Sequence, residues 1–176
     1  MAIETGRVLR QLPPGYRFRP TDKELVGYFM KHKAHDRSVP GLENFRDIDT
    51  MEFYSKPPKS LVTFSNGERE WYFFIHEESN NMRQATADRV IASEEGFWRS
   101  NKEEERVYDA NRNEIAVKNF MTYFSGRPSK PRKTHWTMEE YRLLVGSEST
   151  DPEQSVQQGR CVLCRLKRGK DFETSF

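Results

Sequence analysis

The chain has 176 residues, of which 12% are aromatic and 32% charged, with 29 Lys and Arg against 27 Asp and Glu. That length suits one domain with a sizeable core, and the aromatic content excludes a wholly disordered chain. No apolar run reaches the roughly 20 residues of a membrane-spanning helix, and no signal-peptide segment is present, so a soluble intracellular protein is expected.

The net charge of +2 names no partner, but its distribution is uneven. Arg127 to Lys133 holds four basic residues in seven, and Arg160 to Lys170 holds five with no acid. Such tracts are the usual footprint of a surface that meets a phosphate backbone, although a solvated charged surface reads the same way.

In chain order, residues 1–11 are polar and read as a loose arm. Pro13 and Pro14 stiffen the entry, and Gly15 allows a sharp change of direction. Tyr16, Arg17, Phe18 and Arg19 alternate apolar and basic, as in a short half-buried strand that Pro20 stops. Thr21 and Glu24 stand at capping-box spacing. Leu25, Tyr28 and Phe29 follow at helical spacing, which predicts a helix over 21–33. Ile48, Met51 and Phe53 suggest a short helical segment between the turns at Pro40-Gly41 and Pro57-Pro58. Leu61 to Phe64 and Glu70 to Ile75 read as strands of a hairpin around Asn66-Gly67. Trp71 to Ile75 lacks polar alternation, so that strand should be buried on both faces.

Residues 76–95 read as a long loop. Phe97 to Asn101 is a strand, Lys102 to Arg106 a charged bulge and Asp109 to Asn113 a turn. Ile115 to Phe124, Thr134 to Leu143 and Cys161 to Leu166 complete the strands, with a loop over 146–159. Many strands, few helices and no βαβ alternation predict a mainly antiparallel sheet with helices at its margins, an α+β fold. Cys161 and Cys164 lie three apart on a strand and point to opposite faces, which predicts ordinary thiols rather than a metal or redox pair. His32 and His35 have no evident third ligand, and neither a P-loop nor a G-x-S-x-G is present, so no metal, cofactor or enzyme is expected.

Five segments carry a resemblance. They are Leu12-Pro13-Pro14-Gly15 with the following helix, Glu70-Trp71-Tyr72-Phe73-Phe74, Gly96-Phe97-Trp98-Arg99, Thr134 to Leu143, and Val162-Leu163-Cys164-Arg165. In that order and spacing they closely resemble the NAC domain, the DNA-binding domain of a plant-specific family of transcription factors. The likeness runs over residues 12–168, which would make 1–11 an arm and 169–176 a tail. It implies a twisted antiparallel sheet between short helices, double-stranded DNA as partner, a nuclear location, and dimers with itself or a related chain. It implies no small-molecule substrate and no membrane.

By that resemblance the dimer interface would use Leu12, Pro13, Gly15, Arg17, Glu24 and Tyr28, with Arg17 pairing to Glu24 of the partner. The strand that enters the major groove would be Phe97 to Lys102. Alternation puts Phe97, Arg99 and Asn101 on one face, with Trp98 anchoring the other. Arg suits guanine and Asn suits adenine. Arg89, Lys118, Arg127, Lys130, Arg132 and Lys133 match or adjoin the family's backbone-contacting residues, which position a duplex without reading it.

The chain departs from the family pattern in several places. Asp88, Glu94 and Glu95 lie before the reader strand, Glu103-Glu104-Glu105 follow it, and Asn119 stands where a second lysine is usual. Extra acids near phosphate weaken binding. The alternative reading is therefore a divergent member with weak DNA binding that acts through protein association.

Overall fold

The computed structural model describes residues 18–35, 37–63, 69–76, 91–92, 95–144 and 161–169, with backbone alone at 91, 92 and 161. The opening residues Leu12 to Arg17, the Asn66-Gly67 turn, Arg89 and the 146–159 segment lie outside them.

Helix α1 opens as α-helix (Asp22–Glu24), widens to π-helix (Leu25–Met30) and closes as α-helix (Lys31–Ala34). Its start is the expected capping box. Glu24 N–H donates to Thr21 Oγ1 at 3.2 Å, and the Thr21 N–H and hydroxyl donate to Glu24 Oε1. Two otherwise orphaned backbone donors are thereby satisfied, worth on the order of 1 kcal/mol. Leu25, Val26, Phe29 and Met30 form the buried stripe.

A short 3-10 turn (Leu42–Asn44) leads into β1 (Phe45–Asp49), then α2 (Thr50–Ser55), capped by the Asp49 side chain, and a second 3-10 turn (Pro58–Ser60). Then come β2 (Glu70–His76), β3 (Ile91–Ala92), β4 (Gly96–Tyr108), β5 (Glu114–Ser125), β6 (Arg132–Leu143) and β7 (Cys161–Arg168). They form one seven-stranded sheet in the order β1-β2-β7-β6-β5-β4-β3. All neighbours are antiparallel except β1 and β2. The expected α+β class and mainly antiparallel sheet are therefore what the chain forms.

The period-two alternation of the strands sorts the core onto two faces. On one, the α1 stripe packs against Tyr72, Phe74, Val107, Ala116, Tyr141 and Leu163. Phe18 joins this layer edge-on to Phe29, Phe45 and Tyr72. On the other face, Phe53, Tyr54 and Leu61 cover Phe73, Ile75, Trp98, Met121, Met138, Cys164 and Leu166. The sheet thus lies between helical segments on both sides. Strand β2 is buried on both faces from Tyr72 to Ile75, as its unbroken apolar run predicts.

Four local expectations are corrected. Leu61 to Thr63 form no strand, because both edges of β2 are taken, by β1 and β7. Ile48 belongs to β1, and Met51 is 75% exposed, so Phe53 and Tyr54 anchor α2 instead. Phe18 to Pro20 form no strand, because Phe18 is drawn into the aromatic layer rather than a ladder. Ile91–Ala92, within the expected loop, pairs with Phe97 and Trp98. Cys164 is a buried free thiol near Met138 Sδ, and burial pushes its pKa well up.

A charge network ties the start of α1 to three strands. Asp22 accepts from Tyr141 Oη at 2.6 Å and from Lys118 Nζ at 3.0 Å. Arg165 donates to the Pro20 carbonyl at 3.0 Å, and also pairs with Asp22 and Glu139. Glu139 further pairs with Lys167 at 2.7 Å. Burial pushes the Asp22 carboxyl up, but Tyr141, Lys118 and Arg165 outweigh that and hold it below its ordinary 3.8. Burial and the bond to Asp22 push the Tyr141 phenol far above its usual value.

Arg165→Met strands the Pro20 carbonyl and leaves Asp22 and Glu139 with one cation fewer. It is expected to cost about 3 kcal/mol of stability, the low end for breaking a buried pair because Lys118 still bridges the two acids, read from the urea midpoint. Because the Asp22 pKa is lowered on folding, its contribution is complete above about pH 4 and fades as pH falls through the folded value. Asp22→Asn should therefore lose stability less steeply than the parent as pH falls below about 4, as followed by thermal melting.

Candidate nucleic-acid interface

The strand ends that meet at one end of the sheet are the start of β4, the end of β5 and the start of β6. Gly96 pairs with Ser125, Phe97 with Phe124 and Arg99 with Thr122, while Phe124 and Ser125 pair onward with Lys133 and Arg132. Gly96 permits this closure, because a Cβ there would lie 2.4 Å from the Phe124 carbonyl oxygen and 2.3 Å from Tyr123 Oη. Gly126, with φ +85°, turns the chain out of β5, and its N–H donates to the Glu95 carbonyl at 3.0 Å.

The expected alternation holds along Phe97 to Asn101. Trp98 enters the core on the α2 face, while Arg99 and Asn101 are exposed on the other side, next to the buried Thr122. Thr122 Oγ1 donates to Asn101 Oδ1 at 3.0 Å. The Phe97 and Phe124 rings stack at 5.5 Å, 10° from parallel. The Arg99 guanidinium lies 5.3 Å and 5.0 Å from their centroids, within cation–π range. The pair therefore restrains an otherwise mobile side chain. Phe97 is 0% exposed, which corrects its expected role: it supports Arg99 from beneath and presents no surface to a groove.

The bulge expected over Lys102 to Arg106 is narrower and earlier: Lys102 takes φ 60° where the β4–β5 register shifts between Ser100 and Glu104, while Glu104 to Arg106 pair with Asn119 to Val117 in the ladder. Its N–H donates to Ser100 Oγ at 3.1 Å. Arg127, Lys130, Arg132 and Lys133 are exposed on the β5–β6 turn and the start of β6. Together with Arg99 and Lys102 they make six exposed cations that have no ion pair among the described residues. Arg99 and Lys133 stand on the same face two strands apart, about 10 Å at ordinary strand spacing.

Lys118 is placed differently from expectation. It is 8% exposed, and its ammonium lies 3.0 Å from Asp22, 3.8 Å from Glu139 and 3.9 Å from Glu105. That charge is consumed inside the fold and has no surface for phosphate. The acidic run is likewise partly spent: Glu105 faces Lys118, and Glu104 pairs with Arg106 at 3.0 Å. Glu103 alone of the three has no ion pair among the described residues.

At the other expected surface, Glu24 is exposed within its capping box, and Tyr28 is 38% exposed beside Phe29 and His32. Arg89, Leu12, Pro13, Gly15 and Arg17 lie outside the described residues. Sequence reasoning missed Phe124 and Thr122, which support and flank Arg99. Only the β4–β5 register brings them there, and that register shifts between Ser100 and Glu104, which no local pattern encodes.

The site can be set beside known proteins. A family described as No apical meristem (NAM) protein matches residues 13–143. The chain is 31% identical over 170 residues to NAC domain-containing protein 1 of Solanum lycopersicum, covering 95% of this chain and 57% of that protein. It is 33% identical over 164 residues to NAC transcription factor 25 of Arabidopsis thaliana, covering 88% and 49%. With transcription factor JUNGBRUNNEN 1 of Arabidopsis thaliana the identity is 34% over 154 residues, covering 87% and 53%. The chain thus spans about half the length of these relatives. With most of its length matched, from the proline-rich entry to the end of β6, the chain belongs to the No apical meristem family, the NAC-domain proteins.

Proposed function

We propose that this chain is a sequence-specific double-stranded-DNA-binding domain of a transcription factor, acting in the nucleus as a dimer with itself or a related chain. One observation carries the reading. Arg99, Arg127, Lys130, Arg132 and Lys133 crowd one end of the sheet, with Lys102 further along β4 at its bulge, all without ion pairs among the described residues, while Lys118, Arg165 and Lys167 are neutralised within the fold. Unneutralised cations on a rigid sheet end suit a polyanion, and several relatives are named transcription factors. Arg99 reads a guanine, Asn101 tunes a neighbouring base, and Lys102 with the β5–β6 cations holds phosphate. Arg89 is proposed to join them. Dimers form through Leu12, Pro13, Gly15 and Tyr28, with Arg17 of one chain on Glu24 of the other.

The charges of Lys130 and Lys133 should appear in the salt dependence. Duplex affinity should fall steeply with salt, and Lys130→Ala with Lys133→Ala should lower the log–log slope by about 0.9 for each phosphate they neutralise. Their removal should weaken every sequence alike. Titrations at several salt concentrations decide this, and an unchanged slope removes the turn from the interface.

Arg99 should behave differently. Arg99→Ala should erase preference at one base position, about 1–3 kcal/mol, beyond the general effect of removing a charge. Arg99→Lys should recover affinity more than preference, because a flexible ammonium lacks the planar fork. A base-by-base binding profile distinguishes the two roles. Parent and Arg99→Ala profiles of identical shape would make Arg99 a phosphate contact.

For the dimer, Glu24→Gln is the sharper variant, since glutamine keeps a capping box but not the charge. The melting temperature of the folded domain should hold while light scattering moves toward the monomer mass. A fully dimeric Glu24→Gln places the interface elsewhere.

A further inference from the structure

Asn101 is exposed, yet both its backbone and its side chain are held. It leads into the β4 bulge, where Lys102 takes φ 60° and the Lys102 N–H donates to Ser100 Oγ at 3.1 Å, so the chain on either side of Asn101 is pinned. Its amide is held from the next strand. Thr122 Oγ1 on β5 donates to Asn101 Oδ1 at 3.0 Å. Thr122 pairs with Arg99 across the ladder, so its side chain shares the face of Arg99 and lies on the diagonal toward Asn101.

The burial of Thr122 decides which way the amide is turned. Thr122 is 4% exposed, and a buried hydroxyl proton without an acceptor carries a desolvation penalty. Among the described residues, the Asn101 amide is the hydrogen-bond partner of that hydroxyl. With Oδ1 toward Thr122, the proton has its acceptor. With the amide reversed, Nδ2 would donate to Oγ1 and the hydroxyl proton would be left over. Oδ1 is therefore committed to the protein, and Nδ2, which makes no hydrogen bond among the described residues, keeps its donors for a ligand.

The base edges of a major groove distinguish these two ends. Guanine shows acceptors at O6 and N7, and thymine one at O4. Adenine sets the N6 donor beside its N7 acceptor, and cytosine shows the N4 donor. An asparagine free to use both amide atoms fits adenine bidentately. One whose oxygen is engaged by a hydroxyl offers donors only, as the Arg99 guanidinium does. Arg99 and Asn101 stand about 7 Å apart along the strand, so they enter one groove without sharing one base.

We propose that Thr122 sets the base specificity of the reader strand: by engaging the Asn101 amide oxygen it makes Arg99 and Asn101 an all-donor edge, which takes guanine or thymine, and not adenine, at the Asn101 base. The inference rests on the DNA-binding reading above and deepens it. Thr122 acts through Asn101 and touches no base, so it is a positioning residue.

The test is a base-by-base duplex binding profile for the parent, Thr122→Val, Thr122→Ser and Asn101→Asp, with thermal melting alongside and Arg99→Ala to locate the Arg99 base. Beside that base the parent should prefer guanine or thymine over adenine. Thr122→Val removes the hydroxyl and no charge. It should reduce that preference by about five to ten times, and leave the Arg99 position and the salt slope as they are. Thr122→Ser keeps the hydroxyl and should keep the parental profile. Asn101→Asp, at an exposed position, puts an oxygen where Nδ2 stands, and should turn the preference toward cytosine or adenine, whose amino groups donate. A parent that prefers adenine or cytosine there overturns the proposal. So does a Thr122→Val profile of parental shape, or a Thr122→Ser profile that follows Thr122→Val. Where Thr122→Val melts too low to assay, an Asn101→Asp profile of parental shape overturns it. All of these leave the DNA-binding reading standing if Arg99→Ala erases its own position. No duplex binding by the parent overturns both.

Discussion

The structure depends on the charged group that gathers around Asp22. That carboxylate is in the first turn of α1, yet its partners are Lys118 on β5, Tyr141 on β6 and Arg165 on β7. Three strands are thereby tied to one helix start, and Arg165 also takes the carbonyl of Pro20. Half-buried charges are costly unless every member is satisfied. Here Glu139 balances Arg165, Lys118 and Lys167 together, so removal of any one of these cations leaves Glu139 still paired with the other two. What such a network contributes is placement. The chain entering α1 can leave the sheet in only one direction, and that entry is the stretch proposed to meet a second chain.

The same network sorts the charge of the molecule. A net charge of +2 hides two populations of cations. One is neutralised on the α1 face by Asp22, Glu105 and Glu139. The other stands at the far end of the sheet, where acids are sparse and the strands turn. Glu104 and Glu105 change meaning in this light. Read in sequence, they follow the reader strand and oppose a phosphate chain. In the fold, the bulge at Lys102 returns them to the ladder, where Arg106 and Lys118 absorb them. The acidic run therefore detracts less from binding than its position in the chain suggests, and the case for a purely protein-binding module weakens with it.

Much of this was legible in the amino-acid order, and the parts that were not share a cause. The capping box at Thr21 and Glu24, the doubly buried β2 and the Asp109–Asn113 turn are local signals, and each formed where its residues lie, while the bulge expected over Lys102 to Arg106 lies between Ser100 and Glu104. The hairpin expected between Leu61 and Ile75 failed, although both apolar runs exist, because parallel β1 and distant β7 occupy the edges of β2. No local pattern announces a neighbour so far along the chain. Lys118 misled for a related reason. It aligns with a phosphate contact, but its surroundings are assembled from β4, β6 and α1, and they supply three carboxylates.

Arg99 shows how a strand pairing becomes chemistry. Its own strand supplies Phe97 beneath it, as alternation predicts. Its second ring, Phe124, comes from β5 through the pairing of Phe97 with Phe124. An arginine over one ring still has rotamers to lose on binding, at a cost of up to about 2 kcal/mol for so long a side chain. Two stacked rings restrict it before any partner arrives, so less of that entropy remains to be lost. Gly96 makes the arrangement possible, since any side chain there would collide with the Phe124 carbonyl and Tyr123 and push β4 from β5. The geometry of one exposed guanidinium thus rests on a glycine three residues earlier and a phenylalanine on the next strand. An arginine at this position draws an advantage from those rings that a more strongly hydrated ammonium would draw less.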